Sequence, residues 1–232
     1  MTDYSKAKIY LADERGVNED TFRSHQTFIS GKFFNEHKTP FGDLYVLNDD
    51  SLAGGSSVKM TVPESSCIVL LPVVGAIDYK DSLGNESMIN AGEIQIITLP
   101  EGIEFELVNP YESDLVNYLQ FWIKTPPHEI KSVPLILDFD LVGNKNKLVN
   151  IINASERFLK LSIGQFTGRE EALYTLNDFN NSLFVFVIEG AFEVQGRLLH
   201  PRDGLALWDV EESVDLEALS NEAIIVLVEM KK

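Results

Sequence analysis

Cysteine is almost absent from this sequence. Cys67 is the only one in 232 residues, so neither an intramolecular disulfide nor a zinc knuckle can form, which fits a reducing compartment. Long apolar runs are missing too. The longest, Cys67 to Val74 and Ile224 to Val228, fall far short of the roughly 20 residues needed to cross a bilayer. The N-terminus MTDYSKAK has no signal-peptide core, so the chain is expected in the cytoplasm with no membrane partner. Basic residues are scarce, 19 against 36 acidic ones, for a formal charge of -17. That balance repels phosphate backbones and anionic lipid, which disfavours direct nucleic-acid binding, and the acidity reads most simply as a solvated surface. Of the four histidines, His25, His37, His128 and His200, none stands in an H-x-H or H-x-x-x-H pair, so each is read as structural or superficial rather than as a metal ligand.

What the sequence does have is β-rich runs separated by turn residues: LYVLNDD, CIVLLPVVGAIDY, IQIITL, IEFELVN, YLQFWI, LFVFVIEGAFEV, LALWDV, SVDLEAL and AIIVLVEM. Such spacing predicts an all-β sandwich or barrel. In IEFEL, Ile103, Phe105 and Leu107 share one face against Glu104 and Glu106, and the apolar face should point inward. The same alternation turns Glu104 and Glu106 to solvent, so with Glu101 they read as a wet surface and not as an acid–base pair. Trp122 and Trp208, on alternating strands, read as core rather than as stacking platforms for a ligand.

One stretch, from about Lys145 to Leu161, carries Leu148, Ile151, Ile152 and Phe158 at helical spacing and predicts a short helix. It follows TPPHEIKSVP, whose prolines Pro126, Pro127 and Pro134 cannot continue a central strand. The expected division is a first domain over 1–126, a linker and helical segment over 127–154, and a second domain over 155–232. A weak internal repeat supports two similar halves. VVGAIDY (73–79) parallels VIEGAFEV (187–194), and AGEIQIITLPEGIEFEL (91–107) parallels RDGLALWDVEESVDLEAL (202–219), which is the mark of a duplicated barrel.

The matching pieces are specific enough to carry a family resemblance. FGDLYVLNDD (41–50) is similar to the F-G-x-L-R-V-I-N-D-D of pirins, YKDSLGN (79–85) to H-x-D-S-M-G-N, and DGLALWD (203–209) is typical of the second cupin in bacterial pirins described as quercetin 2,3-dioxygenases. The chain therefore resembles the pirin family over nearly its whole length. The resemblance implies a bicupin, two cupin β-barrels in one chain, with iron or another divalent metal held in the first barrel by three histidines and a glutamate.

At the positions the resemblance assigns to those ligands, the donors are different. The first motif runs from a Gly through five residues to H-x-H, three more residues and Glu; counted from Gly55 it reaches Thr61, Pro63 and Cys67. The second places its His and Glu at Phe105 and Leu107, after Pro100 and Gly102. A transition metal needs imidazole, carboxylate or thiolate donors at about 2.0 to 2.3 Å. Thr61, Pro63, Phe105 and Leu107 offer one hydroxyl among them, so the sequence predicts a relic pocket and no metal cofactor. Cys67, its neighbour, has no base or cation nearby in sequence to activate a thiol and reads as a small buried hydrophobe. The expected function is binding without catalysis, of a small apolar ligand in the relic pocket or of a protein partner. The alternative is a metal-dependent quercetin 2,3-dioxygenase, which the missing donors argue against; cofactor-free chemistry in the barrel has no paired acid and base to support it.

Overall fold

The computed structural model describes residues 5–30, 34–126, 128, 130–153, 159–211 and 213–231. The chain divides into two compact units, one of Arg15–Phe139 and one of Met1–Glu14 with Asp140–Lys232. No α-helix occurs among the described residues.

In the Arg15–Phe139 unit a seven-stranded sheet runs in the order Leu135–Asp138, Glu93–Leu99, Ser66–Val74, Val116–Lys124, Leu44–Leu52, Phe22–Gln26 and Gly16–Glu19. A four-stranded sheet follows the order Ser57–Thr61, Glu104–Val108, Ala76–Asp81 and Glu86–Asn90. All the pairings are antiparallel. Side chains alternate between faces along a strand, and the inward rows of both sheets meet in one apolar cluster that includes Leu52, Ile68, Leu70, Tyr79, Ile97, Phe105, Leu107 and Trp122.

The second unit repeats this plan. Its six-stranded sheet has the order Lys6–Tyr10, Gly204–Trp208, Ser182–Glu189, Ala223–Met230, Leu159–Phe166 and Lys147–Ile152. Its four-stranded sheet has Glu171–Thr175, Ser213–Ala218, Phe192–Val194 and Arg197–Leu199. Counting along the chain from Leu44–Leu52 and from Leu159–Phe166, the next seven strands of each unit pair in the same order, and Gly92 immediately precedes, as Gly204 begins, corresponding strands. The fold is the expected duplicated cupin.

Two expectations need correction. The predicted helix is instead the strand Lys147–Ile152, followed by the strand beginning at Leu159; residues 154–158, including Phe158, lie outside the described residues. A register shift between Asn150 and Ile152 slips the apolar residues off strict alternation, and the slipped pattern imitates a helical one. The expected domain limits also move. Lys6–Tyr10 pairs with Gly204–Trp208 and so belongs to the second unit, whereas Leu135–Asp138 pairs with Glu93–Leu99 and extends the first to Phe139.

Candidate functional site

The strand Glu104–Val108 places Phe105 and Leu107 in the core, 2% and 0% exposed, with Glu104 turned to solvent and Glu106 on the same outward face. Phe105 lies 5.7 Å from the Tyr79 ring and 5.5 Å from that of Trp122. Both alternation-based placements therefore hold.

Thr61 and Pro63 do not reach this interior. Both are exposed, while Val62 between them is fully buried in the cluster. The register explains why: Met60 stands opposite Phe105, Val58 opposite Leu107, and Thr61 opposite the outward Glu104. Counted from Gly54 instead of Gly55, the first motif's spacing falls on Met60, Val62 and Ser66. Gly54 is the glycine wedged against backbone, since a Cβ there would sit 2.6 Å from the Glu112 carbonyl oxygen and from the Ser113 backbone. Gly55 instead supplies a left-handed turn at φ 66°. Two adjacent glycines, each required for its own reason, hide the one-residue slip from a reading of sequence alone.

Cys67 is buried, yet it is absent from the cluster to which Ile68 and Leu70 belong. Alternation gives the inward position to Ser66. Its hydroxyl lies 2.6 Å from that of Tyr45 and donates to the Glu64 carbonyl at 2.6 Å. The Tyr45 ring meets that of Trp122 edge-on at 6.3 Å. The positions that face one another in this barrel are thus Met60, Val62, Ser66, Phe105 and Leu107, lined on one side by Tyr45, Tyr79 and Trp122.

The other wall is polar. Gln120 donates to the Asp50 carboxylate and accepts from the Trp122 indole N–H at 3.0 Å, and its amide nitrogen lies 3.6 Å from the Met60 sulfur. Asp50 is fully buried opposite Tyr118. Burial pushes its carboxyl up to about 7, against the lowering effect of the Ser24 and Gln120 side chains. Burial first, and then Asp50, raises the Tyr118 hydroxyl well above its ordinary value. Asp50 Oδ1, Tyr118 Oη and Gln95 Nε2 have no hydrogen-bond partner among the described residues. The sequence reading missed this wall, although Asp50 closes the FGDLYVLNDD segment. Asp50 stands two residues before Leu52, which lies in the cluster, so alternation counted back from Leu52 turns Asp50 inward and is the signal that could have found it.

The histidines do not converge. His37, His128 and His200 are exposed, and His25 is half-buried with its imidazole pKa lowered by burial. Among the described residues no three His, Cys, Asp or Glu side chains group as a metal site would require. Trp122 is core, as expected; Trp208 ends its strand half-buried.

The family model described as Pirin matches residues 10–123, and that of the quercetinase C-terminal cupin domain matches residues 156–230. A quercetin 2,3-dioxygenase of Escherichia coli K12 is 28% identical over 228 residues, covering 94% of this chain and 97% of that one. A pirin-like protein of Caulobacter vibrioides is 24% identical, covering 91% of this chain and 94% of its own length. Among solved structures, YhhW of E. coli superposes with a TM-score of 0.83 at 22% identity over 97% of each chain. The nickel(II) complex of YhhW gives 0.82 at 21% identity, with 97% and 99% covered. At these identities the likeness of the structures speaks for the fold.

Proposed function

The chain belongs to the pirin family, and from that premise we propose a bicupin whose first barrel has lost the family's metal site and which works by binding, without metal-dependent catalysis. One observation carries the reading: the facing inward positions are Met60, Val62, Ser66, Phe105 and Leu107. A site for iron or nickel needs several nitrogen, oxygen or thiolate donors converging on one point. These five side chains supply one thioether, whose sulfur already lies beside the Gln120 amide, and one hydroxyl, already hydrogen-bonded to Tyr45 and the Glu64 carbonyl. The metal implied by the resemblance does not fit this set. The aromatic side chains of Tyr45, Tyr79 and Trp122 together with the Asp50–Gln120 wall support a small, largely apolar ligand as the occupant of this barrel, and the acidic surface supports a protein partner.

The names of the relatives favour the second reading, a quercetin 2,3-dioxygenase. That chemistry depends on a metal, so elemental analysis separates the two. Protein purified without chelator is expected to carry far less than one equivalent of iron, nickel, manganese, copper or zinc and to leave quercetin unchanged after soaking in each. Stoichiometric metal, lost together with quercetin turnover on chelation, would sink the proposal.

A further inference from the structure

The outward face of the four-stranded sheet in the second unit is built unlike its counterpart in the first. Across the strands Glu171–Thr175, Ser213–Ala218, Phe192–Val194 and Arg197–Leu199, one row of direct neighbours reads Glu171, Glu217, Glu193, with Leu198 next to Glu193 on the following strand. The next row pairs Leu173 with Asp215. In the first unit the comparable sheet carries the row Lys59, Glu106, Lys80, Glu86, alternating in sign. Opposite charges side by side stabilise a sheet, and like charges directly opposite destabilise it. Three adjacent glutamates therefore cost stability, which Arg169, 3.0 Å from Glu217 and itself largely exposed, relieves in part. Leu173 stands among these carboxylates 69% exposed, and Leu198 52%. The face is concave, with a volume of about 540 Å³ lined by Glu171, Leu173, Glu193, Asp215 and Glu217.

We propose that this face is a docking surface for a basic, amphipathic segment of a partner protein, whose lysine or arginine heads meet the four carboxylates while an apolar side chain covers Leu173. Charge complementarity selects the occupant. Nucleic acid and anionic membrane are repelled, and a second copy of this chain would bring carboxylates against carboxylates. A cationic segment instead removes the repulsion within the row, and long Lys or Arg stems also cover exposed apolar surface. A local arrangement that opposes folding is expected where binding uses it. The inference concerns the second unit and stands whether or not the first barrel takes a metal.

The experiment measures binding of two synthetic probes, acetyl-(Lys-Leu)4-amide and octalysine, by fluorescence anisotropy in physiological salt. It compares wild type with the triple variant Glu171→Lys, Glu193→Lys, Asp215→Lys. A charge-matched control, Glu86→Lys, Glu101→Lys, Glu104→Lys, reverses three exposed glutamates of the first unit. The face variant should lose about tenfold or more in affinity for both probes, and the control far less. Leu173→Ser should weaken the Lys-Leu probe and spare octalysine. Thermal melts guard against misfolding, and the face variant should melt no lower than wild type because its glutamate row is broken. Equal losses in both triple variants would mean that overall acidity alone attracts the probes and would overturn the proposal. So would an unchanged face variant, or sedimentation showing a wild-type dimer that Leu173→Ser dissolves, which would make a second copy the occupant.

Discussion

At the scale of single residues, Asp50 is the group whose behaviour follows most directly from its surroundings. Its carboxyl is fully buried and holds its proton up to about 7, against 3.8 for an ordinary aspartate. Between those two values the folded state keeps the proton and the unfolded state has lost it. The stability this neutral carboxyl provides is therefore complete below 3.8 and is lost as pH rises through about 7. Asp50→Asn cannot ionise, and its amide can still accept from Gln120. The variant should match wild type near pH 4 and exceed it at pH 8, by up to about 4 kcal/mol in urea unfolding. A constant difference across that range would mean that Asp50 ionises as an exposed aspartate does. A second pair tests the one-residue slip in the first motif. Val62→Ala should cost roughly 1.5 to 3 kcal/mol through lost burial, and Thr61→Ala no more than about 0.5 kcal/mol. The reverse order would restore Thr61 to the interior.

At the scale of elements, sequence reasoning succeeded where alternation was strict and uninterrupted. Glu104–Val108 reads apolar-in, charged-out, and the structure places Phe105 and Leu107 accordingly. It failed where a turn or an irregularity shifts the phase. The Gly54–Gly55 pair offers two origins for one spacing, and only the Met60–Phe105 register decides between them. The irregular pairing at Asn150–Ile152 turned a strand into an apparent helix. The polar wall was hidden for another reason: Asp50 is distant in sequence from Tyr118 and Gln120 and meets them only because Leu44–Leu52 pairs with Val116–Lys124. Rebuilding the metal site tests the corrected phase. Met60→His, Val62→His, Phe105→His and Leu107→Glu in one variant should give four converging donors. Without metal this variant should be destabilised by several kcal/mol, since apolar burial is lost and a carboxylate is buried. Zinc or nickel should recover part of that through binding to the folded state, about 4 kcal/mol at a thousandfold excess over Kd. The same exchange with Thr61→His and Pro63→His in place of the first two should gain nothing from metal. Rescue of that second variant and not of the first would show that the phase read from Gly55 is correct.

At the scale of the whole molecule, the chain's first strand serves its last domain. Lys6–Tyr10 forms the edge of the six-stranded sheet beside Gly204–Trp208, although more than 190 residues separate the two in sequence. Tyr10 is 1% exposed and its ring lies 5.7 Å from that of Phe184. Gly204 lets the aromatic ring approach, because a Cβ there would stand 2.8 Å from the tip of Phe184. Further ties are a hydrogen bond from the Ala12 amide to the Asp203 carboxylate at 2.7 Å and one from Arg197 to the Ser5 carbonyl at 2.7 Å. The second unit thus completes its sheet with a segment made before the first unit, which no division of the sequence into consecutive domains could have anticipated. Tyr10→Ala should lower the stability of the second unit by about 3 to 5 kcal/mol, as for loss of a large buried aromatic side chain. Hydrogen exchange resolves where that loss falls. Amides of Gly204–Trp208 and Ser182–Glu189 should exchange faster in the variant, while those of Ser66–Val74 and Val116–Lys124, in the unit without Tyr10, should keep their wild-type protection. Equal acceleration in both sets would show that the two units unfold as one body. Acceleration confined to Ser66–Val74 and Val116–Lys124 would place the first strand with the first unit after all.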